Sequence, residues 1–264
     1  MVNLFTKLFA GAALAATFGV GASAEQFLRV GTNATYAPWE YVDSAGEFKG
    51  FDMDVARAMA EKAGYEGVEI IDIEFDALIA NLNSDRFDII MASMDITDDR
   101  LQSIDFIGPY ADSPKRAAAL VGTYKDVNTL EDFAAALDGK VVGAQAGTTM
   151  AIWLEDDFDS NIEVRTYRTF DEIAADVTAG RVDAGLAEVS NWSEYASKNE
   201  GKIEQFGPVL NAGVSPTFGN GVGIGIAKDK AELKEKLEKA LNELREEGTL
   251  KAISEEYFGV DVTL

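Results

Sequence analysis

The sequence predicts an α/β protein made of two similar units that face each other across a cleft. Two observations carry this. A pattern recurs: Phe75-Asp76-x-Leu78-Ile79-Ala80 leads to Arg86-Phe87-Asp88, and Phe170-Asp171-x-Ile173-Ala174-Ala175 leads to Arg181-Val182-Asp183 at the same interval. In each copy an apolar run after the last Asp reaches a polar residue, Ser93 in one and Glu188 in the other. A pattern used twice reads as a helix feeding a strand in each of two units. The second observation is the alternation of strand-like and helix-like segments along the chain, which argues for parallel sheet.

The elements follow in order. Leu28 to Gly31 reads as a first strand ending in a glycine loop. Gly50-Phe51-Asp52-Met53-Asp54 opens a helix with Asp52 as the expected N-cap and Val55, Met59 and Ala63 on one face. Val68 to Ile73 is a strand, Phe75 to Leu82 a helix, and Phe87 to Met91 a buried strand. Gly108-Pro109-Tyr110 is a break signal between the units. The order then returns. Val141 to Gly143 is a strand, Thr148 to Leu154 begins a helix, and Ile162 to Arg165 is a strand; a helix over Phe170 to Thr178 and a strand over Val182 to Ala187 follow. An irregular stretch covers 207–221. Val222 to Ile226 is one more buried strand, and Ala231 to Glu247 is an amphipathic helix ended by Gly248. This tail is too short for a domain, so it is expected to pack back on one unit, with the chain crossing between lobes twice.

Composition narrows the function. Residues 1–24 read as an export signal: Lys7, an apolar stretch from Leu8 to Val20, and Ala22-Ser23-Ala24 as the cleavage pattern. The chain has no cysteine and no histidine. That removes disulfides, thiol nucleophiles, Ser-His catalysis, imidazole zinc sites and a lipid-modified cysteine at the signal junction. The expected location is the periplasm, with cleavage after Ala24 and no lipid anchor. The net charge of −23 repels nucleic acid and anionic membrane. Acidic runs such as Glu155-Asp156-Asp157 lack the spacing of a calcium loop, and Gly219-x-Gly221-x-Gly223-x-Gly225 lacks the Lys-Ser/Thr of a phosphate loop. No metal and no cofactor is expected.

Five segments together resemble the periplasmic solute-binding proteins for polar amino acids, family 3 of the ABC-transporter binding proteins, closest to the lysine/arginine/ornithine/histidine group. They are Gly50-Phe51-Asp52-Met53-Asp54-Val55-x-x-x-Met59-Ala60, Thr32-x-x-Thr35-Tyr36-Ala37-Pro38-Trp39-Glu40, Ser93-Met94-Asp95-Ile96-Thr97-x-x-Arg100, Gly147-Thr148-Thr149, and Gly248-Thr249-Leu250 with Tyr257-Phe258. The resemblance implies the two-lobed periplasmic binding protein fold (type II), its lobes joined by two hinge strands. The expected division is 25–111 for lobe 1, 112–220 for lobe 2 with hinges near 112–115 and 215–220, and 221–264 for the return to lobe 1.

It also implies the site. A free amino acid needs a cationic and an anionic partner in a desolvated cleft. The resemblance makes Arg100 the grip on the ligand carboxylate, although spacing alone favours an arginine paired with Asp98 and Asp99. Glu188, where the family usually has Asp, is expected at the ammonium. Ser93 is its counterpart in the other lobe, with Met94 beside it. Asp95 stands where the family often has Ser or Thr. Thr148 and Thr149 are expected on the carboxylate. Tyr36 and Phe75 resemble an aromatic sandwich for a cationic side chain; the alternative for Phe75 is a core residue, as its repeat mate Phe170 suggests. Asn33 stands where basic-amino-acid binders often carry Asp. The resulting expectation is a monomeric, non-catalytic carrier that binds an arginine-, lysine-, ornithine- or histidine-type amino acid and hands it to an ABC permease in the inner membrane. Alternatives are a glutamine, citrulline or opine binder, or a dehydratase-type enzyme on the same fold.

Overall fold

The computed structural model describes residues 26–264. The export signal and its cleavage point lie outside the described residues. In chain order the strands and helices are β1 (Phe27–Thr32), β2 (Thr35–Tyr36), β3 (Glu40–Val42), β4 (Phe48–Lys49), α1 (Phe51–Lys62), β5 (Gly67–Asp72), α2 (Leu78–Asn83), β6 (Ile89–Ile90), α3 (Asp98–Ser103) and β7 (Asp105–Ala111). Then come β8 (Lys115–Leu120), α4 (Leu130–Leu137), β9 (Val141–Gln145), α5 (Thr149–Ile152), β10 (Glu163–Tyr167), α6 (Phe170–Thr178), β11 (Ala184–Glu188), α7 (Val189–Lys198) and β12 (Ile203–Leu210). The chain ends with β13 (Val222–Ile226), α8 (Ala231–Glu246) and α9 (Thr249–Phe258).

Two five-stranded sheets form the cores of two lobes, in the orders β5-β1-β6-β13-β7 and β10-β9-β11-β8-β12. In each, four strands run in one direction and one runs against them, β13 in the first sheet and β8 in the second. The all-parallel expectation is therefore corrected. The reversed strands are the ones each crossing enters: Ala111 to Lys115 leads into β8, and Leu210 to Val222 leads into β13. A strand that enters a sheet without a crossover helix is free to run against its neighbours. The short β2-β3-β4 meander forms a third sheet beside the first lobe. The tail packs back as expected, with β13 inserted between β6 and β7.

Burial explains the pattern. Leu28, Val30, Phe51, Met59, Ile224 and Leu241 meet on one side of the first sheet, and Leu78, Phe87, Ile90 and Ile104 on the other. Phe133, Val142, Trp153, Leu186 and Phe206 centre the second lobe. Each fully buried aliphatic or aromatic side chain contributes about 1.5–3 kcal/mol.

Local differences from the sequence reading have local causes. Asp52 does not cap α1. The N-cap is Gly50 at φ 118°, where an added Cβ would lie 2.2 Å from the Trp39 carbonyl. Asp52 instead turns inward and accepts from the Ser93 amide at 2.8 Å and the Tyr110 hydroxyl at 2.6 Å. The Gly108-Pro109 step does not break the chain; β7 runs through it. The two repeat helices also start differently. Thr169 and Glu172 form a capping box on α6, so Phe170 enters at its first turn and is buried. The first copy has Glu74 in that place, and a 3-10 turn at Phe75–Ala77 precedes α2.

Candidate functional site

The lobes meet around one small cavity. It leaves about 10 Å³ open to the centre of a water molecule, room for about one water. Asn33, Tyr36, Phe75, Ser93, Asp95, Arg100, Thr148, Thr149 and Glu188 all line it. Met94 does not: its side chain packs among Leu78 and Ile104, and its carbonyl accepts from the Gly223 amide.

Arg100 is placed by its helix. Thr97 is the N-cap of α3 and its hydroxyl accepts from the Arg100 amide at 3.2 Å. The guanidinium donates to the Asp95 carbonyl at 2.8 Å and, across the cleft, to the Gly147 carbonyl at 3.1 Å, and it lies 5.5 Å from the centre of the Phe75 ring. It is 8% exposed and forms no ion pair with a carboxylate among the described residues. A buried guanidinium held only by carbonyls keeps its charge for a further anionic partner.

Glu188 ends β11, and Ser93 follows β6 at φ 45°. The repeat thus brings its two polar end residues together, with the Ser93 hydroxyl donating to Glu188 Oε1 at 2.7 Å. Glu188 Oε2 is buried with no hydrogen-bond partner among the described residues. Burial pushes the Glu188 carboxyl up to about 7, partly offset by Lys115. Tyr36 stands beside it, its hydroxyl accepting from the Glu188 amide at 3.4 Å and its ring edge-on to Phe170. Asn33 is engaged on both sides: its amide donates to the Ile73 carbonyl, and its carbonyl accepts from Gln145 across the cleft at 2.8 Å. Thr148 caps α5, and the Thr149 hydroxyl donates to Asp95 Oδ2 at 2.7 Å.

The structure adds Glu40, Gln145, Ala92 and Met150 to the lining. Glu40 is 1% exposed and its Oε2 also has no partner among the described residues. Burial, then the Asp52 and Glu188 carboxylates, push it well above the usual carboxylate range. Its signal was available: Glu40 pairs with Tyr36 across the β2–β3 turn, so both side chains share a face. Lys115, 2% exposed, lies behind the lining, where its amine reaches Asp95 Oδ1 at 2.5 Å. A lone lysine heading an apolar strand gave no such signal.

The chain is similar to the histidine-binding periplasmic protein of Salmonella typhimurium, 34% identical over 244 residues and 91% of each chain. It is 33% identical over 247 residues to the lysine/arginine/ornithine-binding periplasmic protein of Escherichia coli K12, again over 91% of each. Among solved structures, an ancestral arginine-binding protein bound to arginine superposes with a TM-score of 0.78 at 33% identity, covering 89% of this chain and 99% of that one. These relatives are named as binding proteins. Residues 28–260 match the bacterial extracellular solute-binding proteins, family 3, and the chain belongs to that family.

Proposed function

We propose that this chain is the periplasmic carrier of an ABC transporter and that it encloses a cationic amino acid between its lobes. One observation carries the reading: a guanidinium without a carboxylate partner, Arg100, and two carboxylates with open oxygens, Glu188 and Glu40, border the same buried cavity. A zwitterion with an additional positive charge satisfies all three. Its carboxylate takes Arg100 with the Thr148–Thr149 turn, its ammonium takes Glu188 and Ser93, and its distal cation has Tyr36, Phe75 and the Glu40 carboxylate. The relatives named for histidine, arginine, and lysine/arginine/ornithine support the same ligand class. Asn33, already bonded to protein on both sides, serves closure through Gln145.

The division into lobes at 25–111 with 221–264 and at 112–220 belongs to this reading, as do signal cleavage after Ala24, a monomeric state and delivery to a membrane permease. Calorimetric titration of residues 25–264 with arginine, lysine, ornithine, histidine and glutamine tests it. Saturable binding of one or more of the cationic set is expected. Binding of glutamine alone would refute the cationic assignment, and silence toward all would refute the carrier. A second reading, a dehydratase with Glu188 as general acid, draws on that carboxyl lying near 7. Turnover of a prephenate-like acid would favour it.

A further inference from the structure

The Asp95 carboxylate is held entirely by the opposite lobe. Its backbone belongs to the first lobe, bridged to Val222 and accepting from Arg100. Its two oxygens accept from Lys115 Nζ at 2.5 Å and Thr149 Oγ1 at 2.7 Å. Lys115 begins β8 and Thr149 begins α5, both in the second lobe. Asp95 is 4% exposed and Lys115 is 2% exposed, so the pair is dry in the closed arrangement. The other bond of the Lys115 amine goes to the Ser113 carbonyl, at 2.6 Å, in the crossing segment. Glu188 sits opposite Lys115 in the β8–β11 register, and Arg100 borders Asp95 from its own lobe.

We propose that Asp95 and Lys115, with Thr149, form a hinge-side clamp that holds the lobes closed before any ligand arrives. The Asp95 carboxylate occupies the Thr149 hydroxyl, a donor otherwise open to an incoming carboxylate, and so acts as an internal counterpart of the ligand. Lys115 is a positioning residue: it acts on the cleft through Asp95. Opening the lobes separates Asp95 from both partners in one movement, because both stand on elements of the second lobe, Lys115 where the crossing enters β8 and Thr149 in α5. The two residues also form a unit. A neutral residue at 95 would leave a buried ammonium beside the hinge, and a neutral residue at 115 would leave a buried carboxylate beside Glu188. The proposal rests on the carrier reading only for what the cleft finally encloses.

The absence of cysteine makes the test direct. Cysteines placed at the exposed Gln102 and Asp156, one per lobe, accept spin labels, and distance distributions are recorded on ligand-free protein. The parent is expected to show a dominant short, closed distance. Lys115→Met and Asp95→Ser are each expected to shift the closed-to-open ratio about tenfold or more toward open, the scale of a close charge pair between apposed surfaces. Lys115→Arg is expected to retain closure, and Asp95→Asn, which keeps shape and the Thr149 bond, to open only in part. A ligand-free parent that is already open, or variants that leave the distribution unchanged, would overturn the clamp. Adding arginine to the same labelled protein reads the carrier assignment separately, since the clamp is measured without it.

Discussion

Arg100 and Glu188 face one cavity with opposite charges and no ionic partner among the described residues at hydrogen-bonding distance. Replacing Arg100 with Ala is expected to weaken amino-acid binding at least a hundredfold, about 3 kcal/mol, as for truncation of a buried charge at a contact. Titration calorimetry reads this, and an unchanged affinity would remove Arg100 from the site. Glu188 makes a different prediction. Burial pushes its carboxyl up to about 7. An ammonium binds the ionised form, so below about pH 7 binding must expel a proton. Affinity should then fall by up to tenfold per pH unit as pH drops through that range. Heats measured at pH 6 in buffers of different ionisation enthalpy should differ for the parent and differ less for Glu188→Gln, where Glu40 is left to release a proton. Glu188 was singled out by the repeat, whereas Arg100 was singled out only by the family resemblance, since its spacing alone points to a pairing with Asp98 and Asp99. Glu40 and Lys115 were singled out by neither, because their roles come from neighbours that only the folded chain supplies.

At the scale of elements, the α5 turn joins the lobes. Gly147 sits at φ 75°, and an added Cβ there would lie 3.0 Å from Cα and 2.9 Å from Cβ of Asp76 on the opposite lobe. The Asp76 backbone cannot swing aside, so Gly147→Ala opposes closure in addition to the roughly 1–2 kcal/mol of left-handed strain. Ligand affinity should fall about tenfold or more while the melting temperature of the ligand-free protein drops only a few degrees. Equal losses in both would mean that the turn is structural only. The sequence showed the glycine and the threonines after it, but not what they approach. The same holds for the repeat. Its periodicity located α2, α6, β6 and β11, yet Phe75 and Phe170 diverged. Thr169 caps a helix directly at Phe170, whereas Glu74 leaves a 3-10 turn that carries Phe75 to the cavity. Asp52 was misread for a related reason. Its place near a helix start suits a cap, but Gly50 takes the turn and Asp52 is drawn to Ser93 and Tyr110 in the interior.

At the scale of the molecule, alternation of strand and helix revealed the fold class and missed the antiparallel strands, because direction depends on how the chain crosses between lobes. Those crossings bring carboxylates from distant segments together. Glu40, Asp52 and Glu188 are buried, and burial raises all three: Asp52 to about 6, Glu188 to about 7, and Glu40 well above its usual range. Folded values above unfolded ones mean that these groups favour the native state fully below about pH 4, and that this advantage is lost as pH climbs through 6 to 7. The rises at Asp52 and Glu188 each correspond to roughly 3 kcal/mol, and the three groups interact, so the loss is shared rather than additive. The formal charge of −23 acts in the same direction, since self-repulsion grows as carboxylates ionise. Carboxylates nearer the surface that are held low by cations or hydrogen bonds, such as Asp85 and the half-buried Asp176, oppose the trend only at more acid pH. The ligand-free protein is therefore expected to melt at a higher temperature at pH 5 than at pH 8. Glu188→Gln should flatten the upper part of that profile, because its amide has no proton to lose. A melting temperature that holds or rises toward pH 8 would show that these carboxylates fold in their ionised form, stabilised by cations such as Lys115 and Arg100 more strongly than burial opposes them.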